Sequence, residues 1–460
     1  MNTRKALALA LVTTLSACSD PAEKAPKAPF PEWVLGHWIW EGESTQESAL
    51  AIVDGYLERG IDVSAIVIDS PWATGYSTFV WDPLRFPEPQ VMIDTLHDKG
   101  VRVLLWTVPG INIDVQPLYD EAKSKGYFMK YRAGDAGPAV VEWWKGDGSL
   151  LDYFNPEAVE WWHAQVDQAL AYGVDGWKTD GLDFSAIVAS YSPYLERQTL
   201  RPEYSHQYYD DFYVHTRDTL GDDRVIMARP VDNYGLGVGG LDVAFARRTI
   251  NFAGWVGDQD ASFEGMAAAL NNMWQSSALD YLIVGSDVGG YRTDDAAPEP
   301  WGRTRELFVR WTQLGAFSGL FENGGGGEHR PWMFDDEVLG IYQRYAKLRE
   351  AMRPYLLREA AQAWESDEPL MRFVEGNVDV APRYDYFLGR DVFVAPLTSV
   401  GGGRQVTLPE GGEWRYLFDA TRHFAGGETF ALSCALASYP IFVRVGSDVE
   451  DVLISVLKGS

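Results

Sequence analysis

The sequence predicts an α/β protein in which strands and helices alternate around a parallel sheet, followed by a separate β domain. From Trp33 onward, short apolar runs alternate with amphipathic stretches of helical spacing, as in repeated strand-and-helix units. From Pro369 the pattern changes to short alternating strands and turn clusters such as Gly401-Gly402-Gly403 and Glu410-Gly411-Gly412, with no strong helix. That second region runs to about 90 residues, long enough to fold as its own module. Several apolar runs of the first region end in a charged residue: Asp69, Asp180, Arg229 and Asp287. In a barrel of parallel strands, the C-terminal lip where such residues stand is where chemistry is done.

Gly36-His37-Trp38-Ile39-Trp40 reads as the first strand. Residues 44–59 carry apolar side chains at helical spacing, with Ser44 placed to cap them. The run 63–69 is a buried strand ending in Asp69. A helix over 90–99 stops at Gly100, and strand 101–106 runs into Pro109-Gly110. The stretch from there to Tyr153, with its paired Trp143-Trp144, has no regular period, and loops of this length in a compact domain are usually functional. Helix 156–172 starts with Asn155 as cap and Pro156 at its first position. It leads into a short strand ending in Asp180, where Gly181 lets the chain turn sharply. Helix 204–219 and strand 224–228 follow, ending in Arg229-Pro230. After the run 247–255 come Gly257-Asp258, helix 263–278, strand 281–285, Ser286-Asp287 and Gly289-Gly290-Tyr291. Helix 303–315 precedes Phe321-Glu322-Asn323, the glycines 324–327 and His329-Arg330-Pro331-Trp332, and helical segments over 336–365 close this part.

Composition narrows the function class. A chain of 460 residues, 46% hydrophobic and 13% aromatic, buries a large core and is not disordered over most of its length. A formal net charge of -27 argues against a phosphate-binding surface, so no nucleic-acid partner is expected. The 18 Trp and 23 Tyr serve the core first, and also supply flat faces that stack on sugar rings. At the N-terminus, Arg4 and Lys5 precede an apolar run over 6–15, too short to span a membrane and right for a secretory signal. The run ends in Leu15-Ser16-Ala17-Cys18, which resembles the bacterial lipobox, where cleavage before the Cys leaves that residue to carry lipid. Residues 1–18 are therefore expected as a lipoprotein signal, 19–33 as a flexible tether, 34–365 as the α/β domain and 366–460 as the β domain. The expected location is outside the cytoplasm, lipid-anchored through Cys18 to a bacterial membrane, periplasmic or at the cell surface. Cys434 is then the only ordinary cysteine, and no intrachain disulfide is expected.

A lone Asp after a strand commonly caps the next helix or closes a turn. Here Asp69, Asp180, Arg229 and Asp287 at strand ends, with loop-borne Asp258, would surround one mouth. Two carboxylates flanking a glycosidic bond suffice for hydrolysis: one attacks the anomeric carbon, and the other, held protonated, gives its proton to the leaving oxygen. A cation such as Lys178 or Arg229 keeps the nucleophile charged, while neighbouring acids raise the pKa of the second group. The remaining acids and Arg229 can bind sugar hydroxyls through paired hydrogen bonds. No cofactor and no metal are expected. The seven His show neither H-x-H nor H-E-x-x-H spacing. The glycine run lacks the Lys and Ser/Thr of a phosphate loop, and there is no G-x-S-x-G elbow.

Gly176-Trp177-Lys178-Thr179-Asp180, Trp255-Val256-Gly257-Asp258 and Gly285-Ser286-Asp287-Val288-Gly289-Gly290-Tyr291 look like the three signature blocks of glycoside hydrolase family 31. Asp82-Pro83 to Phe86-Pro87, His97-Asp98-Lys99-Gly100, Leu151-Asp152-Tyr153 with Asn155-Pro156, and Phe387-Leu388-Gly389 with Val394-Ala395-Pro396 are similar too, in the family's order. The resemblance implies a (β/α)8 TIM barrel with a C-terminal β-sandwich. It also implies an exo-acting, retaining α-glycoside hydrolase working by double displacement through a glycosyl-aspartate. By position it makes Asp180 the nucleophile and Asp258 the general acid/base, with Asp69, Lys178, Arg229, Trp255 and Asp287 lining the subsite for the non-reducing sugar.

Two departures from the family pattern stand out. The β-sandwich that precedes the barrel in relatives is expected to be missing or replaced by the long loops. Where many α-glucosidases of the family carry Arg-Asn-His after a Phe, this chain has Glu322-Asn323-Gly324, with His329 as a substitute from beyond the glycines. Together with Lys178 in place of a Trp two before the nucleophile, this leans the expected sugar toward an α-galactoside, with α-glucoside and α-xyloside close behind. A surface carbohydrate-binding lipoprotein without catalysis, and a transglycosylase using the same carboxylates, are the alternatives.

Overall fold

In the computed structural model, which describes residues 27–181, 190–231, 246–293, 302–325, 329–374 and 384–459, eight short parallel strands close on themselves. They are β1 His37–Glu41, β2 Ala65–Ile68, β3 Arg102–Thr107, β4 Gly176–Thr179, β5 Val225–Ala228, β6 Ala253–Trp255, β7 Val284–Gly285 and β8 Phe321–Asn323. Their order in the sheet is β7-β6-β5-β4-β3-β2-β1-β8, with every pair parallel. Just past the end of β7, a parallel bridge between Asp287 and Glu322 and a 3.2 Å hydrogen bond from the Val288 N–H to the Glu322 carbonyl join it to β8. Nearly every strand residue is buried, because side chains fill the barrel on one side and meet helices on the other. This is why the strands read as continuous apolar runs.

The helices lie where apolar spacing placed them, within a few residues. Helix Phe263–Ala278 keeps its expected bounds, with the Ser262 side chain accepting from the Gly265 N–H. Asn155 caps helix Pro156–Leu170 by accepting from the Glu157 N–H at 3.0 Å. Thr45, not Ser44, caps helix Gln46–Glu58: its hydroxyl accepts from the Ser48 N–H, and the Ser48 hydroxyl accepts in return. Ser44 is buried instead. Asp336–Glu365 is one helix of 30 residues that runs through Pro354.

Other expectations need correction. The tether expected through residue 33 ends earlier, since Ala28 and Phe30 are buried, Phe30 against Phe252, and Glu32–Leu35 forms a single 3-10 turn. Trp33 stacks on Trp38 there, and Arg349 donates to the Leu35 carbonyl at 2.7 Å. Only the last three residues of the run 247–255 are strand. The unassigned stretch before Tyr153 holds helix Leu118–Lys125 and a small antiparallel sheet of Gly110–Asn112, Val141–Trp143 and Gly146–Leu150. Cys18, Asp183 and the glycines 326–327 lie outside the described residues.

The second domain has β9 Met371–Phe373, β10 Tyr386–Leu388, β11 Val392–Val394, β12 Gly403–Thr407, β13 Glu413–Tyr416, β14 His423–Ala425, β15 Thr429–Ser433 and β16 Ile441–Arg444. Six of them form an antiparallel sheet in the order β9-β10-β11-β16-β13-β14, and β12 pairs with β15 in a ribbon. Phe424 of β14 stacks on Phe430 of β15 at 3.9 Å, with Phe442 beside both, so the two layers share a core. The domain is not all β: helix Asp448–Gly459 closes the chain, its first turn acidic and its Val449 and Leu453 buried.

Candidate active site

The C-terminal ends of the strands bring one group of side chains together. Asp180 follows β4, and its backbone is fixed on both sides. Its N–H donates to the Thr107 carbonyl at 2.8 Å, and its carbonyl accepts from the Tyr208 hydroxyl at 3.2 Å. The chain then turns through Gly181 at φ +77°, where a Cβ would stand 2.4 Å from Val108 Cγ1, so only glycine fits. The carboxylate is held by two strands: Arg229 Nη2, beyond β5, donates to Oδ1 at 3.0 Å, and Trp106 Nε1, on β3, donates to Oδ2 at 3.2 Å.

Arg229 also reaches the second acid. Its Nη2 lies 3.7 Å from Asp258 Oδ1, and its guanidinium sits 3.8 Å over the Trp255 ring. Asp180 Oδ1 and Asp258 Oδ1 are therefore separated by at most the two distances laid end to end, about 6.7 Å. Asp258 projects from the loop after β6. That loop is fixed where the Val256 carbonyl accepts from Gln259 Nε2 at 2.8 Å and Asn272 Nδ2 at 3.2 Å.

Lys178 stands between two indoles, its Nζ 3.5 Å from the centre of Trp40 and 4.6 Å from that of Trp255. It donates to Asp69 Oδ2 at 2.8 Å, while Asp69 Oδ1 accepts from the Ser70 N–H. Trp255 Nε1 donates to Asp287 Oδ2 at 3.2 Å. Asp287 lies beside Glu322, and both are fully buried. Asp287 Oδ1 has no partner at hydrogen-bond distance among the described residues, and the Glu322 carboxyl faces the Trp40 N–H.

Five acids and two cations in so little water cannot all be ionised alike. Burial pushes the Asp180 carboxyl up, but Arg229 and Lys178 outweigh it and hold it below the usual carboxylate range. Burial raises Asp69 in spite of Lys178. Burial, with Asp258 adding to it and Lys178 opposing, pushes Asp287 up to about 7. Glu322 goes well above the ordinary value for the same first reason, reinforced by Asp287. Burial lowers a lysine, yet Asp69, Asp287 and Asp180 together raise Lys178.

His329 is held by the residue that follows Asp287. Its Nε2 is 2.7 Å from the Val288 carbonyl, and its ring meets Phe308 edge-on. Three aromatic residues without a role in the sequence reading belong to the site. Trp106 grips Asp180. Trp40 stacks on Lys178, and Tyr291 lies parallel to Trp40 with ring centres 5.9 Å apart. The Tyr291 hydroxyl is raised by burial and then by Asp69 and Asp258, which puts it among the same charges. Beside Trp106 opens a cavity of about 320 Å³ whose lining includes Ser70, Trp72, Tyr76, Asp82 and Thr107. Trp143 lies parallel to Trp106 at 6.4 Å, and Trp144 stands half exposed against both. Among the described residues, no group of three or more His, Cys, Asp or Glu is placed to hold a metal ion.

Comparison with known proteins agrees with this architecture. The model of the glycosyl hydrolases family 31 TIM-barrel domain matches residues 27–359, and that of the family's C-terminal domain matches 367–448. The chain is 28% identical over 416 residues to alpha-xylosidase XylQ of Lactiplantibacillus pentosus, covering 85% of this chain and 50% of the relative. It is 26% identical to an alpha-xylosidase of Emericella nidulans, covering 91% and 53%, and 27% identical to alpha-glucosidase 2 of Bacillus thermoamyloliquefaciens, covering 91% and 53%. The chain thus spans about half the length of the curated relatives it matches. The solved structure of a Flavobacterium johnsoniae GH31 dextranase shares the fold with a TM-score of 0.79 at 24% identity, over 92% of this chain and 53% of that one. With a family model matching most of its length, and with the strand-end acids and the C-terminal β domain in place, this chain belongs to glycosyl hydrolases family 31.

Proposed function

We propose that the chain is an exo-acting, retaining α-glycoside hydrolase in which Asp180 is the nucleophile and Asp258 the general acid/base. The observation that carries this is Arg229 Nη2 standing 3.0 Å from one carboxylate and 3.7 Å from the other. Retaining enzymes hold the pair about 5 to 5.5 Å apart, and inverting ones about 6.5 to 9.5 Å. A ceiling of about 6.7 Å fits the retaining spacing and leaves out most of the inverting range. Asp180, kept ionised by Arg229 and Lys178, attacks the anomeric carbon as Asp258 gives its proton to the departing oxygen. Water then enters from the side the leaving group vacated, Asp258 takes its proton, and the ester to Asp180 breaks. Asp69, Lys178, Trp255 and Asp287 are the groups that would meet the hydroxyls of the terminal sugar. The cavity beside Trp106 would take what leaves.

The departures at Lys178 and at Glu322-Asn323-Gly324 favour an α-galactoside as the preferred sugar. The α-xylosidase names of two relatives support α-xyloside as the second reading. Incubation with p-nitrophenyl α-galactoside, α-glucoside and α-xyloside separates these readings, and release from none of them would leave the chain a carbohydrate-binding protein. Sugar rather than water as the second acceptor would make it a transglycosylase, which shows as oligosaccharide products at high substrate. Export and lipid attachment at Cys18 are part of the proposal. Metabolic labelling with a fatty acid should mark the protein and fail to mark C18S.

A further inference from the structure

We propose that Trp40 decides which sugar the pocket accepts, by filling a slot that stays open only because residue 324 is glycine. The inference rests on the glycosidase reading above. Trp40 lies near the end of β1 and is 3% exposed. A Cβ on residue 324 would come within 1.9 Å of the indole Nε1, 2.0 Å of Cδ1 and 2.1 Å of Cε2. These are interpenetrations, so an indole in this place and a side chain at 324 exclude each other. Gly324 does not have a left-handed backbone, so its missing side chain is a matter of space.

The indole is placed where it affects recognition. It lies against Lys178, whose ammonium holds Asp69, so the face of Trp40 fixes where that donor and that acceptor meet the sugar. Tyr291 extends the same wall with its ring 17° from parallel, and its hydroxyl is among Asp69, Asp258 and Asp180. The Trp40 N–H is turned to the buried Glu322 carboxyl, which ties the indole to the same group of acids. Discrimination between sugars that differ in one hydroxyl or hydroxymethyl depends on such a wall, because the wrong sugar either leaves a polar group unpaired or collides.

The test is a panel of kcat/KM values on the three nitrophenyl α-glycosides for wild type, W40A, W40F, G324A and W40A/G324A, with Tm measured on each. W40A is expected to cut the preference for the best sugar over the second by about tenfold or more. G324A is expected to do the same by expelling the indole. In the W40A background the second change is expected to cost less than about twofold further, since the partner it clashes with is gone. If W40A does not fold, W40F serves, with an expected change in the ratio of about threefold or more. A merely structural role lowers all three sugars in proportion, and an unchanged ratio in the folded variants overturns the inference while leaving the glycosidase reading intact. Additive losses in the double variant overturn it too. A wild type that cleaves none of the three overturns the glycosidase reading and this inference with it.

Discussion

Asp180 and Asp258 share one guanidinium, the tasks proposed for them are opposite, and single substitutions should separate them. Asp258→Ala removes the proton donor. A nitrophenyl glycoside, whose leaving group departs without help, should lose far less activity than a natural disaccharide. Steady-state kinetics on both substrates check this, and equal losses would speak against the acid role. Glu322 permits a different test, because it is buried next to Asp287 with its carboxyl raised well above the ordinary value. A group whose pKa is raised by folding adds stability below its unfolded pKa and loses it as pH rises through the folded value. Glu322→Gln keeps the shape and removes the titration, so its Tm should gain on wild type as pH rises above the ordinary range of a Glu carboxyl. A Tm difference that stays flat over that rise would show that Glu322 is not the group titrating. Asp69, Asp180, Asp258 and Asp287 were legible in the sequence, since each follows an apolar run or a glycine turn. The ionisation of Glu322 and the membership of Trp40, Trp106 and Tyr291 were not, because they depend on distances between strands far apart in the chain.

At the scale of elements, what orders the site is the ends of the strands, and the opposite barrel end carries a network of its own. Asp175, just before β4, is fully buried and accepts from Arg102 Nη1 at 2.9 Å and the Val103 N–H at 2.9 Å, with His97 Nε2 at 2.7 Å. Burial pushes its carboxyl up, but His97, the Val103 N–H and Arg102 outweigh that and hold it low. Its contribution is present above the unfolded pKa of an Asp and is lost as pH falls through the folded value. Asp175→Asn should cost about 3 to 5 kcal/mol at pH 7, and the gap to wild type should narrow below about pH 4. Denaturant unfolding at the two pH values measures both. Most helices were readable from apolar period and, as at Asn155, from the cap, because those signals are local. The stretch before Tyr153 was not, since its three short strands pair only with each other and carry little period of their own. The closing helix Asp448–Gly459 was missed because it follows a β domain and is a single amphipathic segment without a helical neighbour in sequence.

The molecule as a whole is a barrel braced by its β domain. Arg310, on a barrel helix and 1% exposed, donates to the Ser438 carbonyl at 2.7 Å, and Gln313 Nε2 donates to that of Leu436 at 2.7 Å. Arg310→Ala should cost about 2 to 4 kcal/mol and uncouple the domains, seen in calorimetry as a broadened or split transition. A single sharp transition at the wild-type Tm would mean that the contact contributes nothing. The two-domain plan was legible because the barrel and the β domain have different periods. The proposed mechanism turns on one bond, the ester expected to form between Asp180 and the sugar. Incubation with a 5-fluoro α-glycosyl fluoride, which slows the second step, followed by mass spectrometry of the intact protein and its peptides, tests it directly. One added glycosyl unit on the peptide that contains Asp180 is the expected result, and turnover with no adduct, or an adduct on any other residue, would contradict it.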